Sequence, residues 1–362
     1  MMMIYSKDSS EHMLMATIGL SSHMGVVMRR TILVSVVLAV AMGLASSAMA
    51  AEKKTLCVYD PSGANGDAFQ IMKDYRTAAV GWGVNFKLKA YTDEKIAAED
   101  FKAGQCDAVV LTGTRARPFQ RFTGTIEAMG ALPTYSLLET VVKKLASPKA
   151  SKLMKKGDFE IAGIFPGGAV YLFVNDRGIN TVEALAGKRL AVLEYDTASK
   201  VMAAHVGASV VGADVATFAG LFNNKNVSMC YAPALAYQAL ELHKGIGSKG
   251  GVVRYPLAQV TFQVLTRSAS FQPDFMLSSR KWAASNFSRF LALAKQVEST
   301  IPNNHWIEIP SSDKARYDTM FQETRIRLRD DKKVYDKTML RLMRKVRCKE
   351  DGSRAECTTN KE

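Results

Sequence analysis

Side chains that could bind a ligand are concentrated where four apolar runs of the chain end. Short apolar runs bounded by turn residues are typical of buried strands. In sheets of this kind, ligands lie beyond the carboxyl ends of the strands. We therefore predict a ligand site, and its candidate residues are Asp60, Ser62, Asn65, Asp67, Thr112, Thr114, Arg115, Glu194, Tyr195, Asp196, Tyr231 and Pro233.

Most of these candidates have a structural alternative. The turn at residues 60–67 precedes a predicted helix whose free N–H groups favour anions, but it could simply cap that helix. Arg115 could clamp a carboxylate or form a surface ion pair. Residues 194–196 combine acidic and aromatic groups that suit a polar or cationic solute, and they are equally suited to helix capping. The chain lacks GxxxxGK[ST] and GxGxxG, so no nucleotide site is predicted.

The predicted elements that position these residues alternate between strands and helices. Strands are predicted at residues 55–59, 84–88, 107–111, 190–193 and 227–233, and helices at 68–79, 94–103 and 199–206. Residues 119–132 and 137–154 are predicted to be mostly helical. This order indicates an α/β fold built from right-handed βα units.

A different pattern separates the two groups of βα units. Residues 160–165 and 169–174 predict an antiparallel pair of strands joined by a turn, with a hinge at Phe165, Pro166 and Gly167. Further strands are predicted at residues 252–253 and 258–266. Helices at residues 281–300, 312–329 and 335–347 would complete the chain.

This order predicts an α/β fold of two lobes with C-terminal helices. We divide the chain into a leader and signal peptide (1–50), the first part of lobe I (51–135), lobe II with the crossover (136–255), and the return to lobe I with the C-terminal helices (256–362). A cleft between lobes is the usual place for a small ligand. Closure about the hinge is the expected motion.

The N-terminal residues predict export. Met28, Arg29 and Arg30 precede an apolar run at residues 31–45, and Ser46-Ser47-Ala48-Met49-Ala50 supplies small residues for cleavage between Ala50 and Ala51. The run is too short to favour a membrane anchor. We expect a periplasmic protein whose translation starts at Met28.

The net charge of +14 raises the possibility of nucleic-acid binding. The charges are scattered except in one C-terminal group, which has acidic residues interleaved, as is typical of a solvated helix face. This group consists of Arg325, Arg327, Arg329, Lys332, Lys333, Arg341, Arg344, Lys345 and Arg347. We therefore expect no nucleic-acid partner, and we expect a monomer.

The five cysteines fit an oxidising compartment. Cys348 and Cys357 enclose eight residues, an easy geometry for a disulfide, and Cys57 and Cys106 lie at predicted strands that could be neighbours. We predict both disulfides and a free, buried Cys230; the alternative for Cys57 and Cys106 is that both are small core residues.

Catalytic and metal-binding motifs are absent from the sequence. It has no CxxC, GxSxG or HExxH, and no two of His205, His243 and His305 stand at ligand spacing. We therefore predict neither a metal nor another cofactor, and not an enzyme. A periplasmic adaptor without a ligand, or less favoured an enzyme, is the alternative to a binding protein.

The segment 181–240 resembles the substrate-binding proteins of TRAP-type (tripartite ATP-independent periplasmic) transporters. The matching text is TVEALAGKRLAV, a G-A-x-x-V element at residues 207–211, and FAGLFNNKNVSMCYAPA. The whole chain after residue 50 is also similar to bacterial exported proteins described as solute-binding proteins, through LCVYDPSGANGDAF, AYTDEKIAAEDFKAGQCDAVVLTGTRAR and IFPGGAVYLFVND. These resemblances imply a periplasmic-binding-protein-like fold that captures a small polar solute for an integral membrane transporter.

The sequence departs from the TRAP pattern at one position. The resemblance implies an arginine shortly after the Gly-Lys-Lys type run, where it grips a substrate carboxylate through two hydrogen bonds. Ala191 stands at that position, and Arg189 precedes it by two residues, or about 6–7 Å along a strand. We therefore expect a ligand of another charge or shape.

Overall fold

Two long antiparallel strands run through the centre of the protein and belong to both of its lobes. A computed structural model describes residues 51–359 and 361–362; the predicted signal peptide lies outside them. The strands are β1 Glu52–Tyr59, β2 Val84–Tyr91, β3 Ala108–Thr112, β4 Lys155–Lys156, β5 Phe159–Val174, β6 Arg189–Leu193, β7 Ser209–Ala213, β8 Met229–Pro233, β9 Gly251–Arg267 and β10 Trp306–Ile307.

The helices flank this sheet on both sides and continue to the C-terminus. They are α1 Asp67–Val80, α2 Glu94–Lys102, α3 Gly113–Ala116, α4 Arg121–Gly124, α5 Tyr135–Leu145, α6 Thr197–His205, α7 Phe218–Asn223, α8 Ala236–Ala239, α9 His243–Ile246, α10 Pro273–Ser285, α11 Phe287–Glu298, α12 Ser311–Asp330 and α13 Lys337–Glu350. No helix within the described residues is both long and apolar enough to span a membrane.

The sheet order is β2-β1-β3-β9-β5-β8-β6-β7. Strands β1 to β3 are parallel to one another and form the lobe I end, while β6 to β8 are parallel and form the lobe II end. Strand β9 pairs antiparallel with β3, and β5 pairs antiparallel with β8. Because β5 and β9 pair with each other from end to end, they connect the two lobes. The two-lobed α/β fold is confirmed.

The predicted antiparallel pair within residues 160–174 is wrong, because β5 is one continuous strand through this segment. Its register against β9 shifts between Pro166 and Gly168, and Gly168 has φ +101°. A β-bulge absorbs the extra residue there and tolerates the missing N–H of proline. A sequence signal typical of a turn therefore marks a bulge between two paired halves of a strand.

Two other segments also differ from prediction. Residues 119–132 contain only α4 and one 3-10 helix, because the backbone becomes extended at Ala128 and left-handed at Gly130. Gly130 has φ +61°, and a Cβ there would lie 2.4 Å from the ring of Phe321. The predicted helix 281–300 is two helices that meet at Asn286.

Each lobe has an apolar core of its own, and the C-terminal helices contribute to both. In lobe I, Tyr75 packs against Trp82, Phe86 and Trp282 within the largest core cluster. Helix α13 supplies Met339, Leu340 and Met343 to this cluster. Helix α12 instead packs its Tyr317, Met320 and Phe321 against the lobe II strands. Of the two C-terminal helices, α13 therefore packs mainly on lobe I and α12 mainly on lobe II.

The prediction of a solvated C-terminal basic group is wrong for Arg325 and Arg347, each 1% exposed. Arg347 lies 2.6 Å from carboxylate oxygens of both Glu356 and Glu362, and Arg325 pairs with the same two residues. Their remaining guanidinium N–H groups donate to the carbonyl oxygens of residues 129 and 131. We call these four side chains the C-terminal ion cluster.

The structure holds both disulfides expected from the sequence. Cys57 joins β1 to Cys106, which precedes β3, and Cys348 in α13 joins Cys357 in the C-terminal tail. The second bond lies next to the C-terminal ion cluster, so covalent and ionic contacts together hold the tail against α12 and α13. Cys230 is free and buried in β8.

Candidate functional site

A cavity of about 250 Å³ lies between the lobes, next to the C-terminal ends of four strands, a parallel pair from each lobe. Tyr59 ends β1, Thr112 ends β3, Leu193 ends β6 and Pro233 ends β8, and all four line it. Residues of β5, β9 and α12 close the remaining walls, which are mostly apolar. The volume falls just below the range of roughly 300–1,000 Å³ for ligand pockets, which indicates a small ligand.

The cavity brings together half of the residues predicted from the sequence. Its lining includes Thr112, Thr114, Tyr195, Asp196, Tyr231 and Pro233. The other six do not line it; they are Asp60, Ser62, Asn65, Asp67, Arg115 and Glu194. Arg115 nevertheless contacts two lining residues, Glu94 and Tyr195.

Asp60 holds the turn after β1 together. Its buried carboxylate accepts hydrogen bonds from the backbone N–H groups of Ser62 (2.8 Å) and Phe69 (3.1 Å). The side chains of Ser62, Asn65 and Asp67 are exposed. These contacts are those of a capped turn, the alternative that the sequence left open.

Asp196 links the cavity wall to the start of α6. Its Oδ1 accepts the N–H of Ala198 at 3.2 Å, while its Oδ2 accepts the hydroxyls of Ser199 and, at 3.2 Å, Tyr231. The carboxylate is buried because these donors replace water. Glu194, two residues earlier, is exposed. Asp196 thus serves as helix cap and as cavity wall.

An arginine of lobe I stacks on a tyrosine of lobe II. The Cζ of Arg115 lies 3.5 Å from the ring centroid of Tyr195, a cation–π contact. The Nε of Arg115 lies 3.6 Å from Oε2 of Glu94, and the hydroxyl of Tyr195 donates to the same oxygen at 3.4 Å. Burial raises the pKa of Glu94, although the N–H of Thr112 and the charge of Arg115 oppose that shift.

Arg117 makes a second contact between the lobes. Its Nη1 lies 4.0 Å from Oδ1 of Asp196, and its other N–H groups donate to Oγ1 of Thr114 and the carbonyl oxygen of Gly124, each at 3.2 Å. Its Cζ lies 5.2 Å from the ring of Tyr335, whose pKa burial raises to about 12. The guanidinium is therefore surrounded by partners within the protein.

Glu127 fixes the start of α3 to strand β9. Its two oxygens accept five hydrogen bonds, from the N–H of Gly113 and from both the N–H and hydroxyl groups of Thr114 and Thr261, at 2.6–2.9 Å. Burial raises its pKa, and these donors together with Arg117 oppose the shift. This carboxylate positions Thr114 beside the cavity.

Comparison with known proteins places the chain in a family. Residues 76–362 match the model of the family described as "Solute-binding protein AdeT 1/2". The chain belongs to this family. It is 42% identical to "Probable solute-binding protein AdeT1" of Acinetobacter baumannii over 84% of this chain and the whole of that protein. It is 24% identical to "Probable solute-binding protein AdeT2" of the same organism over 65% of this chain.

This chain shares its fold with solved structures of TRAP periplasmic solute-binding proteins. The TRAP periplasmic solute-binding protein of Desulfovibrio salexigens with bound orotic acid superposes with a TM-score of 0.64 at 12% identity, covering 82% of this chain and 99% of the other. The TRAP periplasmic solute-binding protein of Ralstonia eutropha H16 with bound (S)-2-acetolactate superposes with a TM-score of 0.66 at 12% identity, again covering 82% of this chain and 99% of the other. The TRAP periplasmic solute-binding protein of Sulfitobacter sp. NAS-14.1 with bound β-D-galacturonate has a TM-score of 0.65 at 11% identity, covering 81% of this chain and 100% of the other.

The position of the gripping arginine implied by the TRAP resemblance is apolar in this family member. Ala191 is 2% exposed within β6 and lines the cavity, whereas Arg189 is exposed at the start of that strand and does not line it. The guanidiniums of Arg115 and Arg117 instead approach from α3 of lobe I and the residue that follows it. The hinge predicted at residues 165–167 lies buried in β5, opposite β9, and remains a prediction.

Sequence reasoning missed several polar residues that line the cavity, among them Glu94, Arg117, Glu127, Ser199 and Gln259. Arg117 is only two residues beyond the predicted group and could have been included with it. Glu94 was predicted as the first residue of a helix, which it is. Nothing in the sequence pairs Glu127 with β9, so only the fold reveals its position.

Two buried polar atoms of the lining have no hydrogen-bond partner, Oε1 of Gln259 and the hydroxyl of Tyr317. Buried polar groups without a partner are rare and call for an explanation such as a ligand. Within the described residues, no group of three or more His, Cys, Asp or Glu side chains could hold a metal ion.

Proposed function

We propose that this protein captures a small polar solute in the cavity between its lobes and delivers it to an integral membrane transporter. The observation that carries the proposal is the origin of the cavity walls, because Thr112 and Thr114 come from lobe I while Tyr195 and Tyr231 come from lobe II. A ligand contacted by both lobes stabilises their closed arrangement. Membership of a solute-binding protein family supports the same function.

The proposal assigns the hinge to the paired strands β5 and β9. The bulge at Pro166 and Gly168 interrupts regular pairing between the lobes, and backbone rotations there would open the cavity. The Arg115–Tyr195 and Arg117–Asp196 contacts cross the cleft and would break on opening. Phe165, Pro166 and Gly167 are the hinge residues that we propose.

The chain belongs to a family of solute-binding proteins, not of enzymes, which supports binding without catalysis. The chain is proposed to act in the periplasm after removal of residues 1–50, as a monomer and without nucleic acid. The TRAP proteins of similar fold are periplasmic, which supports this location.

Native mass spectrometry of the purified protein tests the proposal directly, since a tightly bound solute is retained through purification. A thermal-shift screen with small metabolites provides the second measurement, because a ligand at 100 times its Kd stabilises the folded state by about 2.7 kcal/mol. We expect at least one compound to raise the melting temperature, and small-angle scattering to show a smaller radius of gyration with that compound.

Ala258→Trp serves as the cavity-filling variant and Ala64→Trp as its control. Ala258 lines the cavity and is half-buried, whereas Ala64 is exposed and lies outside it. Binding should be lost only in the first variant. A protein without retained solute, thermal shift or change in scattering would contradict the proposal and favour an adaptor that binds no ligand.

A further inference from the structure

The two arginines beside the cavity lie against carboxylates of the protein itself. Arg115 is stacked on Tyr195 and its Nε, which makes no hydrogen bond, lies 3.6 Å from the carboxylate of Glu94. Arg117 donates to Thr114 and to a backbone carbonyl oxygen, and it lies 4.0 Å from Asp196. A ligand carboxylate that forms a bidentate ion pair with either arginine would come close to the negative charge of Glu94 or Asp196.

Carboxylates outnumber guanidiniums at this site. Glu94, Glu127 and Asp196 line the cavity, and each is buried. Glu94 accepts the N–H of Thr112 while Glu127 accepts those of the next two residues, so the two carboxylates approach the same short segment. Their mutual repulsion contributes to the raised pKa of Glu94. A positive group between them would relieve this repulsion.

Two oxygen acceptors of the lining have capacity to spare. Oε1 of Gln259 is buried without a hydrogen-bond partner. Oε2 of Glu94 has long contacts to Tyr195 and Arg115, at 3.4 and 3.6 Å, and Thr112 also donates to this carboxylate. Gln259 precedes Thr261 by two residues in β9, and alternation places both on one face, where Thr261 meets Glu127. The free Oε1 of Gln259 and the carboxylate of Glu127 are therefore on the same face of β9.

The remaining walls offer apolar surface. Leu190, Met202, Phe218, Leu235 and Val260 line the cavity. The rings of Tyr59 and Tyr231 are also part of the lining, and such rings attract organic cations through their π-faces. A ligand with a long polar or polyhydroxylated body would leave its hydroxyls without partners against this surface.

We propose that the solute is a small organic cation, an ammonium or amidinium group on an apolar body, whose N–H groups donate to Glu94 and Gln259. This inference rests on the proposed function, because it assigns the ligand class of the same cavity. The protein would then differ from the TRAP proteins of similar fold, whose bound ligands are organic acids.

The test is a calorimetric and thermal-shift screen of the purified protein with a library that contains equal numbers of organic cations, organic acids and neutral compounds of matched size. We expect the hits to be cations, bound at least about tenfold more tightly than the acid of the same shape, for example 2-phenylethylammonium against 3-phenylpropanoate. Tight binding by acids would overturn the inference while leaving the proposed function intact. No binding in any class would overturn both.

Glu94→Gln and Gln259→Leu are the variants that locate the cation. Each should weaken binding of the ammonium hit by about tenfold and leave binding of a neutral analogue within about twofold. Glu323→Gln is the control, since Glu323 lies outside the cavity. Equal binding of the ammonium by all three variants would overturn the assignment, and Gln259→Leu decides alone if Glu94→Gln does not fold.

Discussion

Replacing Glu356 by Gln tests whether the C-terminal ion cluster stabilises the fold. The substitution keeps the side-chain shape but removes one of the two negative charges that face Arg325 and Arg347, whose side chains are at most 1% exposed. The amide can replace only part of the hydrogen bonding, with Arg347 at 2.6 Å and Arg325 at 2.8 Å from the carboxylate. Because loss of one partner leaves a buried charge without compensation, we expect the free energy of unfolding at pH 7 to fall by about 3–5 kcal/mol.

The pKa of Glu356 gives this prediction a pH dependence. Burial by itself raises the pKa, but the ion pairs with Arg347 and Arg325 outweigh it and lower the value from 4.5 to about 2. The contribution to stability is therefore complete above about pH 4.5 and is lost as the pH falls through 2. At about 1.4 kcal/mol per pKa unit, it is on the order of 3 kcal/mol.

Urea unfolding followed by circular dichroism at pH 7 and near pH 2 measures this contribution. The control is Glu350→Gln, which changes an exposed glutamate at the end of α13 and should alter stability by less than about 0.5 kcal/mol. Adding Arg347→Met to Glu356→Gln should cost less than the sum of the single changes, because the Arg325–Glu362 pair remains balanced. A loss below about 1 kcal/mol at pH 7, or an equal loss at both pH values, would refute the reasoning.

Three further predictions concern other contacts. Cys57→Ser removes a disulfide between residues 49 apart in sequence, and Cys348→Ser removes one between residues 9 apart. Because a longer closed loop restricts the unfolded chain more, the free energy of unfolding in chemical denaturation should fall by about 4 and about 2.6 kcal/mol, respectively. Equal losses would contradict this account. Gly130→Ala and Gly104→Ala both place alanine in a left-handed backbone conformation, but only the Cβ at position 130 would clash with the ring of Phe321. Gly130→Ala should therefore lower the free energy of unfolding by about 1–3 kcal/mol more than Gly104→Ala. Equal melting temperatures of the two variants would show that Phe321 adapts. Tyr195→Phe should change stability little because the ring remains over Arg115, whereas Tyr195→Leu should cost about 1–2 kcal/mol, and similar losses would exclude the cation–π contact.

The local pattern of the sequence was enough to predict the alternation of strands and helices and the segment that belongs to a binding-protein family. Period, length and flanking turn residues determine such elements, because they depend on neighbours within a few residues. The pattern misled where a local signal serves a distant partner. The Pro166-Gly167-Gly168 segment is typical of a turn, but pairing with β9 along its whole length makes it part of one strand.

The candidate site was predictable only in part for the same reason. Within each lobe the parallel strands end at the same edge, so Tyr195 and Tyr231 could be placed together from the sequence, whereas only the fold brings Thr112 of lobe I to face them. The partners of Arg115 and Arg117 could not, because Glu94 lies about twenty residues earlier and Asp196 about eighty residues later in the chain. The sequence determines which groups are available near the cavity. Only the tertiary structure decides that the guanidiniums of Arg115 and Arg117 lie beside carboxylates, since that depends on which side chains the fold brings face to face.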